Sequence, residues 1–255
     1  MINKRQNYSI GKDISVVFLD KDGTIMDGHH YWIKMIKLRG KLLLEFLQLS
    51  DDAKLRRKIE STLGIDHDNN KMKNNGPVGV MPKEFNINVL RSELSKIGHE
   101  LTISNIEDIF VKADLVSSMS IEKYIKPLPG VREFLVNCYK RSITVAILSN
   151  DTSKRCELAI KVLGFDQQIK YVFGGEVINK SKKSGHLAKF AMDKIGIKSD
   201  KVLNVGDHPN DIAMGINAKI NKNVGVLTGL SRLESFSDIN CSIIENFNNF
   251  TFCND

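Results

Sequence analysis

A strand-like run, Val16-Val17-Phe18-Leu19, stands near the start of this chain, and the next such run, residues 143–148, comes more than a hundred residues later. Between them the apolar residues fall at helical spacing and no strand pattern occurs. From residue 143 onward strands and helices alternate, the pattern of a parallel sheet with helices on its faces. A lone first strand before a helical block and its sister strands after it leave little choice. The block is an insertion into one α/β domain, not a separate tandem domain.

The reading along the chain is specific. Residues 27–126 are all-helical. Trp32, Met35, Ile36, Leu42, Leu43, Phe46 and Leu47 mark a helix over 31–49, and a second covers 53–63 with Gly64 as its stop. Residues 66–82 read as a loop. Pro82 opens a third helix with Phe85, Val89, Leu90, Leu94 and Ile97 inward, and Ser104 with Glu107 cap a fourth that runs to about 118. Pro127-Leu128-Pro129-Gly130 is a turn. Helices are then expected over 131–140, 152–163, 184–195 and 211–218, and strands over 143–148, 171–173, 201–205 and 224–227. The fold class is α/β, a doubly wound parallel sheet formed by residues 1–26 and 127–255, with the helical domain of 27–126 inserted.

Composition narrows the setting. With 42% hydrophobic and 26% charged residues, the chain has an ordinary globular make-up. Its formal charge of +7 favours an anionic partner. The lysines are dispersed, however, and aromatics are only 7%, so no interleaved stripe for nucleic acid is present. Cys138, Cys156, Cys241 and Cys253 lie far apart without a Cys-x-x-Cys pair, which argues for reduced thiols and a cytoplasmic setting. The apolar run behind Lys4, Arg5 and Lys12 is too short for a signal peptide or a membrane span.

The first strand ends in Asp20-Lys21-Asp22-Gly23-Thr24. Residues i and i+2 of an extended segment point the same way, so Asp20 and Asp22 can face one reacting centre. An Asp-Gly turn with solvated acids would carry the same residues. Two further strand ends are polar, with Ser149-Asn150 after one and Asp207 through Asp211 after another. Parallel strands bring all three to one edge of the sheet, where open α/β sheets bind ligands. Carboxylates from two strands, without a thiolate or histidine cluster, suit a hard cation such as Mg²⁺. Acids, a metal, a hydroxyl and a lysine around one point are what phosphoryl transfer through a covalent intermediate requires.

These motifs resemble the haloacid dehalogenase-like phosphatases: Asp20 to Thr24, Ser149-Asn150, the lysine segment, and Gly206-Asp207-x-x-x-Asp211, with Pro127 to Val131 similar to the family's re-entry into the core. The resemblance implies that Asp20 is the nucleophile and Asp22 the general acid. Ser149 would bond a phosphoryl oxygen, with Asn150 and Thr24 beside the substrate. It also implies a Mg²⁺ site formed by Asp20, the backbone carbonyl of Asp22 and Asp207, with Asp211 close by; as a helix N-terminal acid, Asp211 has an alternative, structural reading. The family's Lys-Pro is replaced by Lys180-Ser181-Lys182-Lys183-Ser184. Counting back from Asp207 favours Lys182, then Lys183. The helical insert resembles a type 1 cap, which in the family lies over the active site and contributes substrate contacts. His29 and His30 at its entry, and the loop 76–82, are the candidates for these, and Trp32 reads as cap core.

The implied activity is Mg²⁺-dependent hydrolysis of small phosphorylated metabolites of the phosphoglycolate or sugar-phosphate class. The dehalogenases and phosphonatases of the family lack the second aspartate. A β-phosphoglucomutase-like enzyme keeps both acids, but its cap-entry histidine falls where this chain has Trp32. A non-catalytic binding module on the same scaffold is the third possibility, and such modules tend to lose an acid. Oligomeric state is not encoded in any of these features.

Overall fold

Val16–Leu19 is a strand with all four side chains buried. Such a run needs apolar cover on both faces and a neighbour on each side. The computed structural model, which describes residues 3–4, 7–73, 76–79, 81–178 and 180–253, gives it both neighbours. Thr144–Leu148 pairs along one side and Val202–Gly206 along the other, both parallel. The full sheet has seven strands in the order Asn3–Lys4, Ser242–Ile244, Lys222–Val226, Val202–Gly206, Val16–Leu19, Thr144–Leu148 and Ile169–Phe173. Every neighbouring pair is parallel. One side of the core joins Val16, Phe18, Ala146 and Leu148 to Leu187, Ala188 and Ala191 of the helix His186–Ile195 and to Met214 of the helix Pro209–Asn217.

The chain divides into two compact units, Met1–Asp27 with Lys126–Asp255, and Gly28–Ile125. The second unit contains helices Gly28–Phe46, Ala53–Leu63, Lys83–Ser95 and Ile103–Met119. Its helix ends follow local chemistry. Asp52 accepts the Leu55 N–H at 2.8 Å, and Gly64 closes the second helix in the left-handed region at φ 118°. Among the described residues, no helix is long and apolar enough to cross a membrane.

Several local expectations need correction. The unit is not wholly helical, because Ile65–Asp66 and Lys71–Met72 pair as a small antiparallel ladder inside the expected loop. The fourth helix is capped by Thr102 and Asn105 in a reciprocal box, not by Ser104 and Glu107; Thr102 stands one residue ahead of the first helical position, where its hydroxyl reaches the third N–H. Phe85 and Ile97, expected inward, are exposed, while Ile87, Leu90 and Leu94 form the buried face. The first helix begins at Gly28 and ends at Phe46, earlier at both ends than its apolar spacing suggested. In the loop 76–82, Val80 lies outside the described residues.

The sheet also continues past the last expected strand. Ser242–Ile244 and Asn3–Lys4 extend it, and a separate parallel pair joins Tyr8–Ile10 to Phe250–Phe252. Phe134, Phe247, Phe250 and Tyr8 pack as an aromatic cluster there, with Phe134 and Phe247 centroids 5.0 Å apart. These short segments carry no alternation long enough to register as strands in sequence.

Candidate active site

Asp20, Ser149 and Asp207 each follow directly on one of three adjacent parallel strands. The turn after Asp20 is built by its backbone. The Lys21 carbonyl accepts the N–H groups of Ile25 and Met26, both at 3.1 Å, and the Gly23 N–H donates to the Met26 carbonyl at 2.8 Å. Gly23 sits at φ 83°, where a side chain would be strained, and a Cβ there would come within 2.5 Å of Asp207 Oδ2. A Cβ on Gly229 would strike the same carboxylate, so two glycines leave room for it. Thr228 ties that second loop to the turn by donating to the Gly23 carbonyl at 2.6 Å.

Asp20, Asp207 and Asp211 bring carboxylate oxygens within 4.8 Å of one another. Lys182 is buried among them. Its Nζ pairs with Asp20 and lies 2.7 Å from Asp211 Oδ1. Burial alone would strip its proton, yet Asp20 and Asp211 together outweigh that and raise its pKa, so it is an ammonium. For Asp20 the balance goes the other way. Desolvation, with Asp211 and Asp22 nearby, outweighs Lys182 and pushes its carboxyl up to about 7. Asp207 is raised well above the usual range by desolvation and by the charges of Asp211 and Asp20. Three acids held this close with one ammonium are a hard-oxygen donor set short of positive charge, and they fit a divalent cation such as Mg²⁺.

The remaining expected residues are distributed as follows. Lys180 is exposed and contacts His186 Nε2 at 3.0 Å, and the Lys183 carbonyl accepts from Asn217, so Lys182 is the lysine that enters the cluster. Asp22 lies close enough to be one of the charges that raise Asp20. Ser149 is buried and its Oγ accepts the Asp151 N–H at 3.1 Å, while Asn150 is exposed. Thr24, fully buried, donates its hydroxyl to Asp207 Oδ1 at 3.1 Å, a brace for that acid. His29 and His30 belong to the helical unit. There, His29 Nδ1 accepts the Met72 N–H at 3.3 Å and fastens the ladder to the first helix.

Some participants escape a motif reading. Asn204, in the middle of its strand, donates to the Asp211 carbonyl at 2.9 Å and to Asn223 Oδ1 at 3.0 Å, and so fixes the start of the helix that bears Asp211. His208 caps the same helix by accepting the Asn210 N–H at 3.1 Å. Its pKa is lowered, mainly by burial. A polar residue inside an apolar strand was the available signal for Asn204. Cys156, whose thiol bonds Ser149, is pushed up to about 12 by burial and stays protonated.

A model of the haloacid dehalogenase-like hydrolases matches residues 14–219, most of the chain. The chain belongs to that family. Among curated relatives, a phosphoglycolate phosphatase of Vibrio parahaemolyticus is 29% identical over 90 residues, 35% of this chain and 40% of that protein. The pyrophosphatase PpaX of Halalkalibacterium halodurans is 23% identical over 99 residues, 39% of this chain and 46% of that one. The chain thus spans less than half the length of each of these two relatives. Among solved structures, a predicted phosphoglycolate phosphatase of Haemophilus somnus superposes with a TM-score of 0.67 at 16% identity, covering 92% of this chain and 95% of that one. At that identity the likeness is one of fold. This hydrolase therefore carries its family's fold with an acid cluster at the ends of its central strands.

Proposed function

We propose that this hydrolase is a Mg²⁺-dependent phosphatase of small phosphorylated metabolites, of the phosphoglycolate or sugar-phosphate class, acting through an aspartyl phosphate on Asp20. The observation that carries this reading is Lys182, buried and bridging Asp20 and Asp211 beside Asp207. Asp20 is the nucleophile. The Lys182 ammonium opposes the burial and neighbouring acids that raise the proton affinity of Asp20, and the ionised oxygen attacks phosphorus. Asp22 donates a proton to the leaving oxygen and afterwards takes one from the hydrolytic water. The Ser149 hydroxyl bonds a phosphoryl oxygen, and Lys182 offsets the charge that spreads over the equatorial oxygens.

Asp20, Asp207 and the Asp22 backbone carbonyl would hold Mg²⁺, with Asp211 in the outer shell. When bound, the ion would supply electrostatic stabilisation of the transferring phosphoryl group. Thr24 keeps Asp207 in place and Asn150 lies at the rim on the substrate side. His29 and His30 of the helical unit are assigned to substrate choice. The name of the Vibrio parahaemolyticus relative supports the substrate class. The dispersed positive charge and scarce aromatics support a small metabolite over nucleic acid, and the widely spaced cysteines support a cytoplasmic setting.

The test is phosphate release from a panel of phosphorylated C2–C6 acids and sugars, with Mg²⁺ and with EDTA. Turnover of several small esters that is lost with EDTA is the expected result. Strong activation by a sugar bisphosphate with little phosphate released would mean a mutase. Binding without turnover would mean a binding module.

A further inference from the structure

Lys21 sits between the two aspartates of the first motif, and the roles proposed above give it nothing to do. Its side chain is nonetheless 3% exposed, an unusual place for an ammonium unless it is paired. Its Nζ lies 2.8 Å from Asp22 Oδ1 and 3.3 Å from Asp151 Oδ2. Asp151, two residues beyond Ser149, is itself fixed from several directions. Arg155 Nε is 3.3 Å from each of its carboxylate oxygens, and Oδ1 accepts the Thr152 N–H at 2.8 Å. Its backbone carbonyl accepts the Gly175 N–H at 2.9 Å, and its N–H donates to Ser149 Oγ at 3.1 Å. The Lys21 backbone is pinned as well, through its carbonyl's two bonds to Ile25 and Met26.

Charges thus alternate in one chain, Asp22–Lys21–Asp151–Arg155, from the first motif to the helix Ser153–Leu163 that follows the second. The Asp22 side chain is 23% exposed and would otherwise sample several rotamers. A short bond from a buried, immobile ammonium removes that freedom. We propose that Lys21, braced by Asp151, is the positioning residue for Asp22, holding its carboxyl group where it meets the leaving oxygen of a phosphate ester. In the step concerned, Lys21 holds Asp22 Oδ1 and the proton is carried on Oδ2; a bond forms from Asp20 to phosphorus, the ester P–O bond breaks, and that proton passes to the departing oxygen. The inference rests on the assignment of Asp22 as that acid.

Protonation of the leaving group distinguishes positioning from general structural support. An alkyl alcohol needs the proton as it departs, whereas p-nitrophenolate leaves without it. The quantity to measure is kcat/KM, which reports formation of the phosphoenzyme, for glycerol phosphate and for p-nitrophenyl phosphate with Mg²⁺. Lys21→Met should lower the value for glycerol phosphate about 10- to 100-fold, as misplaced catalytic groups do, and the value for p-nitrophenyl phosphate by less than about threefold. Asp151→Asn should act in the same direction, about 3- to 10-fold. Equal losses on both esters, or no loss on either, would overturn the proposal. Asp22→Asn is the reference. If it treated the two esters alike, the acid assignment itself would fall, and the proposal with it. If Lys21→Met does not fold, Asp151→Asn decides the matter alone, and absence of an ester-selective loss would refute the positioning role.

Discussion

The two units of this hydrolase handle buried charge in opposite ways. In the helical unit, Arg39 is buried with Asp114 at 3.5 Å and the Phe110 ring at 4.2 Å, one cation matched to one acid and one aromatic face. In the α/β unit, Asp20, Asp207 and Asp211 share the single ammonium of Lys182. In the first arrangement a cation has an acid within ion-pair distance. The second carries surplus negative charge in a desolvated place, which folding alone would select against. A cluster that raises the proton affinity of its own members is the kind of place where functional sites are found, and a divalent cation would offset the imbalance. The helical unit instead shows apolar surface, with Val111, Leu115 and Met119 exposed at four-residue intervals on one helix. Among the described residues, the closest gathering of acids is the one in the α/β unit, where the reaction is proposed to take place.

The sharpest way to break this contrast is to remove the nucleophile. Asp20→Asn should abolish turnover, a loss of at least about 10⁴-fold, because an amide cannot form the phosphoenzyme. Acid-quenched enzyme should carry labelled phosphate in the native protein and none in the variant. Label in the variant would place the nucleophile elsewhere. Next in size is Lys182→Ala, expected to reduce kcat about 10²- to 10³-fold, the cost of losing one preorganised charge donor. Lys180→Ala and Lys183→Ala should change kcat less than about twofold, since exposed lysines contribute little. Equal small effects from all three would dissolve the special place given to Lys182.

The surplus charge should also show in stability. Asp20 has a pKa near 7 in the folded protein and 3.8 as its ordinary value. Between those values the folded state binds more protons than the unfolded one, so stability falls as pH rises through that window. The elevated Asp207 acts in the same sense. With EDTA, the Tm should therefore drop by several degrees from pH 5 to pH 7.5, and Mg²⁺ should restore it mainly at the higher pH. A Tm in EDTA that holds steady or climbs over this range would show that the acids are balanced after all.

The sequence was most legible where chemistry and periodicity coincide. A buried strand that runs into a polar cluster makes one local signal, and it recurs at Asp20, Ser149 and Asp207 because each follows a strand of the same parallel sheet. Lys182 was reachable by counting back from Asp207 across one helix and one strand. The Thr102 cap was missed by two residues because threonine and serine offer the same hydroxyl, and only backbone geometry separates them. The strands Asn3–Lys4 and Ser242–Ile244 are too short to show alternation, and their pairing with each other joins residues more than two hundred positions apart. Lys21 and Asp151 were in plain view beside the motifs. Their pairing was not, because it joins two loops that only the sheet brings together.

The smallest expected effect tests the other side of the contrast, whether the helical unit selects without taking part in chemistry. His29 and His30 are neighbours in sequence at the start of the first helix of the unit. His29 anchors the small ladder through the Met72 N–H, so His29→Ala should lose about one hydrogen bond, roughly 1 kcal/mol, and lower Tm by about 2–4 °C. His30→Ala is the companion variant. Both should alter the ranking of phosphorylated acids against sugars by about two- to tenfold, the scale of a single lost polar contact. Turnover of p-nitrophenyl phosphate should stay within about twofold, since neither histidine is assigned a bond-making step. A loss on every substrate alike, at unchanged Tm, would move the histidines into the catalytic machinery. Selectivity left intact in both variants would instead move substrate choice to other side chains of the unit, with the charged cluster still responsible for the reaction.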